Sequence, residues 1–136
     1  MKTNILFFIL ATIAFQISGQ ETASTDASKI KKGLVKVAIL YPNSDDATFD
    51  IAYYAEKHMP MVADLFGEAL RHYAIDKGVA GRTPEEPIPY VAVGYFYFDQ
   101  LSDYENAFGA NAEKILGDIP NYTNIQPVVQ ISEVVR

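Results

Sequence analysis

The succession of strand-like and helix-like periodicities along residues 34–136 predicts an α+β domain of order β-α-β-β-α-β. In it, two helices lie on one face of a four-stranded antiparallel sheet. Three observations carry this expectation. Residues 34–41 and 90–98 are dense in β-branched and aromatic side chains. Residues 49–66 and 102–116 instead repeat apolar side chains at three- and four-residue steps. Clusters of Gly, Pro, Asn and Asp separate these runs at the lengths short connections need.

The first strand, residues 34–41, stops at Pro42-Asn43, a turn signal. Thr48 or Asp50 can cap the helix that follows, whose stripe runs through Phe49, Tyr53, Tyr54, His58, Met61, Val62, Leu65 and Phe66. Pro60 falls inside that stripe, so a kink or restart is expected around Lys57 to Met59. Gly67 ends the helix. Residues 71–76 alternate weakly and form the second strand, followed by a Gly- and Pro-rich loop over residues 81–89. Residues 90–98 give the strongest strand signal. Ser102 and Glu105 stand at capping-box spacing and open the second helix through Phe108, Ala112, Ile115 and Leu116. A turn-rich stretch, residues 117–124, leads to the last strand over residues 128–135. This order is the ferredoxin-like split βαβ pattern.

Composition sets the outer limits. The chain has 136 residues, 49% of them hydrophobic, with 11 Lys and Arg against 17 Asp and Glu and a formal net charge of −6. One modest domain fits this length. The acidic balance, without any Lys/Arg cluster, argues against a nucleic-acid partner, which requires a basic face. With no cysteine, thiolate nucleophiles, disulfides and Cys-ligated metals or clusters are excluded. Catalysis, if any, falls to oxygen and imidazole groups.

Residues 1–19 carry a lone basic residue, Lys2, an apolar run from Ile5 to Ile17, and then Ser18 and Gly19, the pattern of a secretory signal peptide. An uncleaved anchor is the alternative, but the run falls short of the roughly 20 residues a membrane span needs. The mature protein is expected in a periplasm or outside the cell, without stable membrane insertion. Residues 20–33, rich in Ser, Thr, Asp and Lys, read as a flexible lead-in to the domain at 34–136. A sheet with helices on one face and apolar side chains on both leaves a surface to cover, so a homodimer with C2 symmetry is expected.

Candidate chemistry centres on His58, whose imidazole is suited to general-base work near neutrality. Tyr54 lies four residues before it on the same helix face and could donate a hydrogen bond to a developing enolate or phenolate. The competing reading is that His58 braces the break at Pro60 and Tyr54 is ordinary core. Asp118, Asn121 and Tyr122, in the loop before the last strand, are candidate hydrogen-bonding groups for a bound carbonyl or hydroxyl, or simply turn residues. Tyr90 and Met61 complete the candidate substrate contacts, with packing as the alternative. His72, beside Arg71, reads as a solvated edge residue. Two isolated histidines form no metal-binding spacing, and an axial haem ligand at His58 has no further support, so neither metal nor cofactor is expected. Glycine-rich phosphate loops and Gly-x-Ser-x-Gly are absent, and Asn121-Tyr122-Thr123 fits the glycosylation pattern, which matters only in a eukaryotic secretory route.

Several pieces in order give a resemblance: Val37 to Tyr41 with Pro42-Asn43; Phe49, Tyr53-Tyr54 and His58-Met59-Pro60-Met61; Pro89-Tyr90-Val91-Ala92 and Phe96-Tyr97-Phe98; Phe108-Gly109; residues 118–123; and Gln126-Pro127-Val128 onward. Together they resemble the EthD family over Val35 to Val135. The resemblance implies a dimeric α+β barrel related to small cofactor-free monooxygenases and muconolactone isomerases, with fungal relatives linked to dehydratase or decarboxylase steps on aromatic polyketides. It thus implies an enzyme of oxidoreductase, isomerase or dehydratase type acting on a small hydrophobic compound. The alternative is a small-molecule binder of the same fold. The export signal departs from a role in intracellular catabolism.

Overall fold

The computed structural model describes residues 30–136; the expected signal peptide and most of the lead-in lie outside them. Strand β1, Val35–Pro42, ends where proline removes the amide hydrogen the ladder needs, and its pairing shifts register between Tyr41 and Pro42. A helical segment over residues 51–66, here α1, follows. Asp50 opens it in extended conformation and accepts from the Tyr53 amide at 3.0 Å.

The break expected near Pro60 takes a specific form. Ile51–Tyr53 is α-helical, Tyr54–His58 is a π-helical turn, and Met59–Phe66 returns to α. The Met59 amide donates to the Tyr54 carbonyl, five residues back. Pro60 has no amide hydrogen to offer the carbonyl of Glu56, and its ring would crowd that carbonyl in a tight turn. The wider turn just before it gives that ring room. Gly67 closes the segment at φ +54° and ψ −133°, a positive-φ conformation that glycine adopts without a Cβ penalty.

Strand β2 is Leu70–Lys77 and β3 is Tyr90–Phe98; helix α2 is Leu101–Asp118, continued by a 3₁₀ turn at Ile119–Asn121; β4 is Val128–Glu133. The second helix corrects the capping-box expectation. It starts one residue before Ser102, with Gln100 in extended conformation at the cap and no side chain accepting from the first turn. Gln100 Nε2 instead donates to Asp103 Oδ1 at 3.3 Å, across the first turn.

The sheet order is β2-β3-β1-β4 with every neighbouring pair antiparallel, a ferredoxin-like fold. Register explains the core. Val37, Ile39 and Tyr41 of β1 stand opposite Phe96, Gly94 and Ala92 of β3, and these alternate residues face the helices. Val37, Ala92 and Phe98 are fully buried there, and Phe66 of α1 packs edge-on to Phe96 and Phe98 at ring separations of 5.2 and 5.5 Å. From α2, Tyr104, Phe108 and Ile115 close the same core. Lys36, Ala38, Leu40, Tyr95 and Tyr97 have the opposite parity and belong to the other face.

Candidate active site

Tyr54 and His58 bracket the π turn and lie parallel on one another, with ring centroids 5.6 Å apart and planes 17° from coincidence. Both are buried, at 1% and 5% exposure. Close approach of Tyr54 to the sheet depends on a missing side chain. A Cβ at Gly94 would collide with the Tyr54 hydroxyl and press on Met59. Glycine in the middle of β3 is therefore a seat for the phenol.

The loop after α2 is fastened to the start of α1. The Asp50 amide donates to the Tyr122 carbonyl at 2.8 Å, Thr123 Oγ1 donates to the Thr48 carbonyl at 2.7 Å, and the Thr48 amide donates to Asn124 Oδ1 at 2.8 Å. This latch brings Asp118 and Tyr122 against His58. Asp118 Oδ2 lies 2.8 Å from His58 Nδ1, while Asp118 Oδ1 accepts from Tyr53 Oη and Asn121 Nδ2, each at 2.9 Å.

These contacts determine where the protons sit. Burial alone would push the Asp118 carboxyl up, but hydrogen bonds from His58, Asn121 and Tyr53 together outweigh it and hold it below the usual carboxylate range. An ionised carboxylate only accepts, so Nδ1 of His58 carries the hydrogen. Burial also lowers His58, against the opposing pull of Asp118, so the ring is neutral near pH 7 and its Nε2 is a bare acceptor. Tyr122 Oη, 3.3 Å away, donates to it, and in turn accepts from Tyr41 Oη at 2.7 Å. Burial pushes the phenols of Tyr41, Tyr54 and Tyr122 upward, so all three stay protonated donors. In this cluster, His58 is the group able to take up a proton near neutrality.

A cavity of about 90 Å³ opens beside this network, between α1, α2 and the β1 and β4 side of the sheet. His58, Tyr41 and Tyr54 supply polar groups at the end next to the network, Tyr104 adds a further phenol, and Phe66, Phe96, Phe108, Ile115 and Val129 are among its apolar and aromatic walls. Such a site is arranged to hold a mostly apolar molecule by one oxygen next to a base. Among the described residues, no three His, Asp or Glu side chains converge in a way that could hold a metal, and no helix is long and apolar enough to cross a membrane.

Of the residues singled out from sequence, the structure brings His58, Tyr54, Asp118, Asn121 and Tyr122 into one cluster. It leaves two outside. Tyr90 stands at the half-exposed first position of β3, paired with Pro42 beyond the register shift, and does not line the cavity. Met61, half-buried against the core, faces an open groove shared with Asn111, Lys114 and Asp118 and does not line the cavity. Tyr41 and Tyr53 are the members that sequence reasoning passed over. A phenol at the inward parity of β1, in line with Val37 and Ile39, was the available signal for Tyr41, since a buried hydroxyl needs a partner.

The topology and the buried hydrogen-bonded cluster define a ferredoxin-like α+β domain with a single-histidine site. Residues 42–126 match the EthD domain, and the chain belongs to the EthD family. An EthD-like protein from Ralstonia eutropha is 43% identical, with the alignment covering 78% of this chain and 96% of that one at a TM-score of 0.74. An EthD family protein from Bacillus halodurans shares the fold at 16% identity, 74% and 97% coverage and a TM-score of 0.52. No curated protein matches the chain significantly.

Proposed function

We propose that this EthD-family protein is an exported enzyme that uses no cofactor and acts on a small hydrophobic carbonyl or aromatic compound by proton abstraction at His58. The observation that carries the reading is the two-sided setting of the imidazole: Nδ1 tied to the Asp118 carboxylate, Nε2 turned to the phenols beside an apolar cavity. In the reaction, Nε2 takes a proton from a carbon next to the carbonyl. The C–H electron pair stays on the substrate as an enolate, and Asp118 stabilises the imidazolium that forms. The Tyr54 hydroxyl, on the cavity wall, can donate to the enolate oxygen, and Tyr41 can do so on giving up its bond to Tyr122. Isomerisation, dehydration and reaction with oxygen can all start from this step. The outward face of the sheet, with Leu40, Tyr95 and Tyr97, is the surface through which two copies would pair.

A second reading has its own support. Tyr122 already occupies Nε2, as in a site that holds a ligand without turnover. Deuterium exchange separates the two. Phenylacetone in D₂O is followed by proton NMR with wild-type protein and with His58→Ala. Catalysed loss of the α-hydrogens that falls by roughly 10²- to 10⁴-fold in the variant fits the base. Saturable shift changes without any exchange would establish the binder.

A further inference from the structure

The cavity is smaller than the molecules its walls suit. At about 90 Å³ it falls well short of the roughly 150 Å³ in which a benzene ring is accommodated. Its lining does not stop at the mouth. Leu116 of α2 and Val129 of β4 are both part of the wall, yet they are 53% and 50% exposed. Ile131, two residues along β4 on the same face, is 46% exposed and extends the apolar strip outward. At the inner end the chemistry is different. The polar groups there are His58 and the phenols of Tyr41 and Tyr54, no Lys or Arg among the described residues lines the wall, and the ionised Asp118 carboxylate stands directly behind the imidazole. An anionic head entering here would lose its hydration, meet no cation and face a like charge.

We infer that the site, on the acid-base reading above, takes an uncharged amphiphile longer than the cavity. Its hydroxyl donates to His58 Nε2, or its carbonyl accepts from the Tyr54 phenol, and its apolar remainder leaves through the mouth along Leu116, Val129 and Ile131. This accounts for the exposure of three large apolar side chains at and beyond the cavity wall, and it selects against carboxylates and phosphates.

The test is an NMR titration of the folded protein in D₂O with straight-chain methyl ketones of five, seven and nine carbons, and with carboxylates of the same lengths. Affinity for the ketones should rise about two- to fourfold per added methylene through the longest chain. The carboxylates should bind far more weakly at each length. In Ile131→Ser, altered beyond the cavity's own wall, the five-carbon ketone should lose far less affinity than the nine-carbon one, so the gain on lengthening shrinks. A plateau at five carbons, carboxylates binding as well as ketones, or no ketone binding at all would overturn the inference. The same tubes report deuterium exchange. Length-dependent binding without exchange leaves the inference standing and removes the enzyme reading; exchange that ignores chain length does the reverse.

Discussion

His58 and Asp118 lie 60 residues apart in sequence and 2.8 Å apart in the fold, with Nδ1 of the imidazole donating to Oδ2 of the carboxylate. The carboxylate is itself held by Tyr53 and Asn121, so the ring is fixed in one tautomer by a partner that is fixed in turn. Neither half of the pair is exposed enough for water to replace the other, their side chains being 6% and 16% accessible.

Asp118→Asn tests the pair directly. The imidazolium loses its counter-charge, so base-catalysed exchange should fall by about 10²-fold or more. His58, already lowered by burial, should titrate at a still lower pH in an NMR titration of the ring. An unchanged His58 titration would mean the carboxylate does not govern the ring.

Stability should depend on pH in a stated direction. Burial first, against the pull of Asp118, leaves the folded His58 below the 6.5 of the unfolded chain, and Asp118 lies below 3.8. In both cases the unfolded state binds protons more readily. The stability from each is complete above the unfolded value and is lost as pH falls through the folded one. Melting temperature should thus begin to drop as pH goes below about 6.5, and fall again below the carboxylate range. In His58→Gln the first decline should vanish while the second remains.

Tyr53→Phe removes one of three donors to Asp118 without opening the core. The carboxylate should titrate at higher pH, and the acid-unfolding midpoint should move up with it. A midpoint unmoved from wild type would show that Asn121 and His58 suffice.

Gly94→Ala should destabilise the fold by about 1–3 kcal/mol, because the added methyl meets the Tyr54 hydroxyl and Met59 from a strand that cannot retreat. Combining it with Tyr54→Phe should recover part of the loss. Thermal melts of the two variants would show it, and a double variant less stable than Gly94→Ala would contradict the seat assigned to the glycine.

The fold could be read from periodicity because the apolar patterns of β1 and α1 match their burial. Val37, Ile39 and Tyr41 alternate as an inward face should, and the stripe through Val62 and Phe66 packs on the sheet. What could not be read was anything set by contact across the fold. Pro60 announces a disturbance, but only the carbonyl geometry decides between a kink and a π turn. Asp118 looks like a turn residue until the latch from Thr48 and Asp50 to residues 122–124 carries it to His58. Ser102 satisfied a spacing rule and lost to Gln100, since local spacing says nothing of where the preceding strand releases the chain.

A π turn holds one residue more than the α turn it replaces, while the helix on either side keeps its phase. Between Tyr54 and His58 that surplus residue is a local insertion the rest of α1 does not register. Removing one of Ala55, Glu56 or Lys57 would leave Tyr53 and Val62 facing as they do now, and would disturb the stacking of the imidazole on the phenol. The placement of the imidazole therefore hangs on one residue of chain length in a turn that Pro60 keeps open, and shared architecture among relatives does not by itself carry a shared reaction.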